Sequence, residues 1–470
     1  MIELPNDFLE EIRRLLGERS AMDLRSALAS LPVVSLRLNS EKLSKQIGAT
    51  NPELLGFYIE ADRIKSVPWC ESGYYLKSRP SFTMDPLFHA GCYYPQEASS
   101  MFLEQVVKRY IIGPVRALDL CAAPGGKSTH LCSLLPEGSI LVSNEVVRAR
   151  GLVLTENLIK WGVTNSVVTM NSAKNIGCSG QSFNFILVDA PCSGEGMFRK
   201  EKRSIGEWSL DNVMMCADRQ RSILEDIWPA LMPGGVLVYS TCTYNKIENE
   251  QNVIWACDKF KADLLPVPVL PEWGVSEGLD NTDTNPVYRF FPHKAEGEGF
   301  FMAVLRKPTD AYMGMDNKIV RRECKKISRH SALEVCRSWL ENPNSYILGM
   351  KGERVLAFPA RLADDMGRID SELRCLRCGL EMGIIKGANV IPSHQLAMSL
   401  AYEKSTFNSV ELSLEQALDY LHHEAVRIPS SPRGIVLLTY RGVPLGFAKN
   451  IGNRANNMYP QEWRIRKSVR

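Results

Sequence analysis

The sequence has no apolar run of membrane-spanning length. A spanning helix needs about 20 consecutive apolar residues, so a helical membrane protein is not expected. It also lacks a large excess of either charge: 56 Lys and Arg against 53 Asp and Glu leave +3. That is too little to bind nucleic acid by bulk charge, so any such contact must come from local clusters. The start, Met1-Ile-Glu-Leu-Pro-Asn6, lacks the charged n-region of a secretory signal. The 13 cysteines are scattered and mostly set in apolar runs, which points to reduced thiols in a cytoplasmic protein rather than a disulfide framework. Cys375-Leu-Arg-Cys378 has no second pair at zinc spacing, and no metal is expected. The Gly125-Gly-Lys127 turn has neither the Walker spacing nor a G-x-G-x-x-G fingerprint, so it is not read as a nucleotide triphosphate or dinucleotide loop.

What is present has the organisation of several domains, for which a chain of 470 residues is long enough. Residues 1–90 open with an amphipathic helix carrying Phe8, Leu9, Ile12, Leu15 and Leu16 at helical spacing, followed by an alternating strand at Val33–Asn39. They read as a small α+β module. A helix is expected from Tyr94 to about Tyr110. Residues 91–307 alternate strand-like and helix-like segments, the pattern of an α/β domain with helices on both faces of a parallel sheet. Residues 308–380 contain a basic stretch, Lys318–Arg329, and read as a linker or first C-terminal module. Residues 345–470 have a glycine-punctuated β pattern with helices near His394–Leu400 and Leu414–His422, and 381–470 are taken as the last module.

Three loops at strand ends concentrate the chemistry. Asp119-Leu-Cys-Ala-Ala-Pro-Gly-Gly-Lys127 leaves a strand and opens a helix, and its glycines let backbone approach a ligand. Glu145 ends the next strand, where doubly wound folds place an acid against ribose hydroxyls. Together they indicate an adenosine-type ligand. Phe183–Val188 is a short apolar run ending in Asp189-Ala-Pro-Cys192-Ser-Gly, and Gly235–Tyr239 ends in Ser240-Thr-Cys242-Thr-Tyr244. Two thiols converging beside an adenosine pocket suit covalent catalysis on an electron-poor ring.

These three motifs, in this order, resemble the Sun/nucleolar-protein class of RNA cytosine-5 methyltransferases. The fuller layout resembles bacterial RsmF-type 16S ribosomal RNA methyltransferases, with Gly442-Val-Pro-Leu-Gly-Phe-Ala-Lys449 and Asn456-Asn-Met-Tyr-Pro460 similar to a PUA-like module. The resemblance implies a Rossmann-like methyltransferase domain between a small N-terminal α+β module and a C-terminal PUA-like α+β module, with S-adenosyl-L-methionine as cofactor. Cys121, Ala122, Ala123, Pro124, Gly125, Gly126 and Lys127 would surround its methionine part, Glu145 the ribose, and Asn171 or Ser172 the adenine. Asp189 would sit beside the reacting groups, Cys242 would be the nucleophile toward C6, Cys192 would assist release, and Lys127 would hold the base or the aspartate.

Arg199, Lys200, Lys202 and Arg203, with Lys449, Arg454, Arg464, Arg466, Lys467 and Arg470 at the tail, are the expected RNA contacts, binding phosphate without reading sequence. The expected partner is ribosomal RNA, as 16S RNA or the 30S subunit, with the protein a monomer and no membrane or metal involved. The alternatives are the same chemistry on transfer RNA, DNA cytosine methylation, and a non-catalytic RNA-binding assembly factor. The last would need none of Cys192, Cys242, Asp189 and Lys127.

Overall fold

Short apolar segments, each buried on both sides, can only be satisfied inside a sheet covered by helices. The computed structural model, which describes residues 4–48, 64–278, 286–310, 331–387, 389–429 and 431–466, shows such a sheet at its centre. Its main strands are β1 (Arg116–Asp119), β2 (Ile140–Asn144), β3 (Ser166–Thr169), β4 (Phe183–Asp189), β5 (Leu231–Thr241), β6 (Val287–Phe290), β7 (Phe300–Arg306) and β8 (Cys375–Cys378). They lie in the order β8-β3-β2-β1-β4-β5-β7-β6. Strands β3, β2, β1, β4 and β5 are parallel, and β7 inserts antiparallel beside β5. Alternate side chains feed two cores: Ala117, Phe185 and Leu187 on one face, Leu118, Ile186 and Val188 on the other, as the two-residue period of a strand requires. Strand order reverses at β1, so the crevice beyond the carboxyl ends of β1 and β4 is where such a sheet takes ligands.

The N-terminal module has a four-stranded antiparallel sheet, preceded by a helical segment, Asn6–Leu28, that kinks at Gly17 and packs Phe8, Ile12 and Leu24 against Phe198, Trp208 and Tyr244 of the central domain. Its last strand is Tyr93–Tyr94, so the module runs past the expected limit at residue 90. Fully buried Arg37 locks it to the central domain, donating to Gln96 Oε1 at 2.8 Å and to Thr129 Oγ1 at 2.7 Å. The helix expected from Tyr94 starts late. After Pro95, the Glu97 carboxylate accepts from the backbone N–H groups of Ser99 and Ser100, and the α-helix proper is Leu103–Tyr110.

The expected boundary at residues 380–381 is corrected. One sheet contains Tyr346–Lys351, Arg354–Pro359, Leu380–Lys386 and Asn389–Pro392, and so spans that point. The preceding Cys375–Cys378 segment leaves this module and pairs with β3. Buried Arg377 anchors it, donating to Ser166 Oγ at 2.8 Å and Val163 O at 3.1 Å. The two cysteines of the lone C-x-x-C thus lie on an edge strand. The last module joins Asn408–Glu411, Gly434–Tyr440, Val443–Asn450 and Ala455–Asn457 in one sheet. Its Tyr420, Leu421 and Leu445 share a core with Leu36, Leu38 and Leu43, so the two end modules pack together. Lys318–Arg329, Lys467 and Arg470 lie outside the described residues. Among the described residues no helix is long and apolar enough to cross a membrane.

Candidate active site

A cavity of about 440 Å³ opens at the carboxyl ends of β1 and β4. One end is walled by the turn from Asp119 through Lys127. Gly125 holds φ +116°, a conformation favouring glycine, and the helix Gly126–Leu134 follows. Arg150 and Asn157 brace the turn by donating to the carbonyls of Ala123 and Pro124, at 2.9 and 2.8 Å. Asp119 is fully buried. Its Oδ2 accepts from Ser128 Oγ at 2.7 Å, but Oδ1 has no partner. Burial, reinforced by the charge of Asp189, pushes its carboxyl up to about 7 against the Ser128 hydrogen bond. An unsatisfied carboxylate oxygen on an enclosed wall is costly unless a cationic ligand meets it. The amino group of an amino-acid-like cofactor, here the methionine part of S-adenosylmethionine, fits that requirement.

The other end gathers the reactive groups. Cys192 Sγ lies 3.1 Å from Cys242 Sγ and accepts from the Cys242 backbone N–H at 3.3 Å. The Cys192 thiol is raised well above its ordinary pKa, first by its hydrogen bond with Cys242 and then by burial. Lys127 Nζ donates to Asp189 Oδ2 at 2.8 Å, and Ser240 Oγ donates to Oδ1 at 2.7 Å. Burial alone would lower the Lys127 pKa, but the charge and hydrogen bond of Asp189 outweigh it and leave it raised. Phe300 closes this side, its ring centroid 5.2 Å from Lys127 Nζ.

Two buried glutamates that sequence reading passed over hold the cysteine loops in register. Glu195 Oε2 accepts from the backbone N–H groups of Tyr244 and Asn245, at 2.7 and 3.0 Å. Glu248 accepts from the Ser193 N–H at 3.0 Å, from Gln220 at 2.7 Å and from Asn245 at 2.8 Å. Each carboxylate therefore bridges both loops. Gly196 permits the close approach, since a Cβ there would lie 2.4 Å from Gly299 O and 2.9 Å from Cys242 O. The available signal was Glu195 and Glu248, each within six residues of a motif cysteine.

Other expected residues lie differently. Glu145 is buried at the end of β2, accepting from the Val147 N–H at 2.9 Å with Arg150 3.4 Å away, and does not wall the cavity. The Asn171 side chain exchanges hydrogen bonds with the Arg374 backbone, tying β3 to the incoming β8 segment. Ser172 Oγ accepts from the Asn175 N–H and caps a short helix. Arg199 is corrected as an RNA contact. Its side chain is 4% exposed, paired with Glu298 at 2.9 Å and donating to Gly297 O at 2.8 Å. Lys202 and Arg203 are exposed, as are Lys449, Arg454, Arg464 and Arg466.

Cys70, Glu104 and His130 form a buried group whose ligand atoms lie within 4.8 Å of one another. His130 Nε2 is 3.1 Å from Glu104 Oε2, and Lys108 Nζ is 2.7 Å from Glu104 Oε1. The carboxylate is thus already neutralised, and the group reads as a polar seam between the N-terminal module and the helix after the glycine turn.

The strand order, with an antiparallel strand inserted beside β5, and the glycine turn at the switch point define a Rossmann-like methyltransferase. Comparison with known proteins is more specific. The family model for 16S rRNA methyltransferase RsmB/F matches residues 114–306, the RsmF N-terminal domain model residues 4–98, and the RsmF PUA domain model residues 407–465. Ribosomal RNA small subunit methyltransferase F of Vibrio parahaemolyticus is 30% identical, covering 98% of both chains, and that of Enterobacter sp. is 29% identical over 97% of this chain and 95% of its own. The chain belongs to the ribosomal RNA small subunit methyltransferase F family. Among solved structures, a methyltransferase homolog from Pyrococcus horikoshii superimposes with TM-score 0.54 at 31% identity, over 65% of this chain and 96% of its own. NSun6 of the same organism, determined with SFG, shares the fold at TM-score 0.53 and 23% identity, covering 64% of this chain and 98% of its own.

Proposed function

We propose that this protein is a cytoplasmic, monomeric enzyme that methylates C5 of cytosine in 16S ribosomal RNA without a metal. The observation that carries this is the pair of thiols 3.1 Å apart on the same cavity as Asp189, Lys127 and the glycine turn. S-adenosylmethionine, when bound, supplies an electrophilic methyl group. Asp119 and the turn from Cys121 to Lys127 would hold its methionine part, and Glu145 its ribose after turning from its own loop. Asn171 and Ser172 would reach the adenine only by giving up their present hydrogen bonds.

Cys242 reacts as thiolate and adds to C6 of the cytosine, moving electron density to C5. Cys192 is the sulfur of the pair that keeps its proton. A proton delivered to N3 neutralises the adduct. Asp189 is placed to deliver it. In the free protein it accepts from Lys127 and Ser240, so it acts as this donor only once protonated, with Lys127 holding it in place. After methyl transfer, water takes the C5 proton, the C5=C6 bond re-forms as the C6–S bond breaks to restore the Cys242 thiolate, and the N3 proton returns to Asp189; help in this release is assigned to Cys192, whose thiol lies beside the departing sulfur. The base must be unstacked to present C5 and C6 to this cavity.

The test is transfer of radiolabelled methyl from S-adenosylmethionine to 16S RNA, 30S subunits, 23S RNA and bulk transfer RNA in parallel. Label as 5-methylcytosine only in 16S RNA or 30S subunits is expected. Label in transfer RNA would keep the chemistry and move the substrate. Absence of label with cofactor binding intact would favour an assembly factor.

A further inference from the structure

The mechanism leaves two carboxylates on the cavity wall unused, Glu97 and Glu298, and Glu97 already accepts from the N–H groups of Ser99, Ser100 and Glu298. Glu298 is 2% exposed, lines the same cavity as Cys242, Lys127 and Phe300, and its Oε1 has no hydrogen-bond partner. Its position is rigid. The Glu298 N–H donates to Glu97 Oε1 at 2.9 Å, and its carbonyl accepts from Ser99 Oγ at 3.0 Å. Its other oxygen, Oε2, is held by Arg199 Nε at 2.9 Å. Burial, with the charge of Glu97, leaves this carboxyl raised, and the ion pair with Arg199 and, at 3.7 Å, Lys200 only partly opposes that shift. Lys200 is a quarter exposed and is the neighbour free to move aside.

Cytosine and uracil differ on one edge. Cytosine carries an exocyclic amino donor at C4 and an acceptor at N3, whereas uracil has an oxygen at C4 and a donor at N3. Asp189 and Lys127 face the ring nitrogen in the proposed reaction, and a donor at C4 still needs an acceptor. We propose that Glu298 is the specificity-determining residue of this site: its free Oε1 accepts the amino N–H of the target cytosine and repels the C4 oxygen of uracil. The inference rests on the cytosine-methylating reading above. A site built to hydrogen-bond an N–H group rejects the analogue lacking it far more strongly than an apolar pocket could, because a buried acceptor is then left unpaired.

The test uses the full-length protein and a short RNA containing the cytidine that the wild-type enzyme methylates, synthesised with 5-fluorocytidine or 5-fluorouridine at that position. Fluorine at C5 blocks release, so the covalent adduct accumulates and is read on a denaturing gel. Wild-type protein should trap the cytidine form at least about 100-fold faster than the uridine form. Glu298→Gln, whose amide can donate as well as accept, should narrow that ratio to within about tenfold. An unchanged ratio would overturn the proposal.

A second measurement does not depend on that variant folding. In Cys242→Ala protein, with Glu298 intact, RNA whose target base lacks the amino group (2-pyrimidinone) should bind at least about tenfold more weakly than cytidine RNA. Equal binding would also overturn it. If wild-type protein forms no adduct on 5-fluorocytidine RNA, the cytosine reading itself fails and this inference falls with it.

Discussion

The two ends of the cavity are built differently. The turn end is dominated by one continuous segment, Asp119 to Lys127, shaped by its own turn, braced from one neighbouring helix and flanked by Tyr94 and Gln96. The base end is assembled from four separate segments: Tyr94–Ser100, Asp189–Lys200, Ser240–Asn245 and Glu298–Phe300. Its sulfurs meet through hydrogen bonds between two loops about 50 residues apart in the chain: Glu195 and Glu248 bridge them, with Ser193 to Thr243 and the Gly196 N–H to the Cys242 carbonyl beside them. A local turn can be rebuilt by one segment, whereas a long-range assembly depends on every bridge. Damage at the first end should therefore appear in cofactor affinity, and damage at the second in the chemical step.

The sharpest break is at the sulfurs. Cys242→Ala should abolish methyl transfer, a loss of at least about 1,000-fold for removing a covalent nucleophile. Its cofactor affinity should stay unchanged by titration calorimetry. Cys192→Ala should also stop turnover, but by trapping the adduct as a slow-migrating protein–RNA band. The absence of that band would remove Cys192 from the release step.

At the cofactor end, Asp119→Asn should weaken S-adenosylmethionine binding by about 10- to 100-fold, the loss of a buried charge-assisted hydrogen bond. The pH dependence has a definite sign. The free-protein carboxyl titrates near 7, so the charged form that meets an ammonium is depleted as pH falls through that value. Wild-type affinity should fall between pH 8 and pH 6, and the Asp119→Asn variant should show no such fall. A wild-type affinity flat over that range would exclude Asp119 as the partner of the amino group.

The bridging glutamates should give a smaller effect of the opposite kind. Glu248→Gln keeps the size but replaces one acceptor oxygen with a donor, setting it either against the Ser193 N–H and the Gln220 amide or against the Asn245 amide. We expect kcat to fall about tenfold with cofactor Kd unchanged, as a small misplacement of reacting atoms costs rate more than binding. A parallel loss in cofactor affinity would show that the two ends are one unit after all.

The same contrast explains what could be read from the sequence. The turn at residues 119–127, the strands, and the two cysteine motifs carry their signal in adjacent residues, and the central sheet follows them closely. Glu298 and Arg199 could not be read this way. Each is an ordinary charged residue along the chain until the fold turns Arg199 inward onto Glu298. Asn171 likewise looked available at a strand end, but a strand from a module some 200 residues later occupies its side chain. The sheet that spans residue 380 was hidden for the same reason: Leu380–Lys386 pairs back onto Arg354–Pro359, while the intervening Cys375–Cys378 pairs with β3. Apolar alternation marks a strand without saying which sheet receives it.

The exposed cations of the last module should matter least individually. Lys449 lies on the strand Val443–Asn450 and Arg454 in the turn after it, both exposed. Nothing near them resembles the buried, oriented hydrogen bonds of the cavity, so their contribution should be charge alone. Each phosphate neutralised releases counterions, which makes affinity fall with salt at a slope of about 0.7 to 0.9 per contact. The double variant Lys449→Met, Arg454→Met should raise KM for RNA about two- to fivefold, leave kcat unchanged, and reduce the salt slope by about one to two. A fall in kcat would mean that this module positions the target base as well as holding the backbone. An unchanged salt slope would place the RNA path elsewhere, with exposed Lys202 and Arg203 beside the catalytic loop as the next cations to remove.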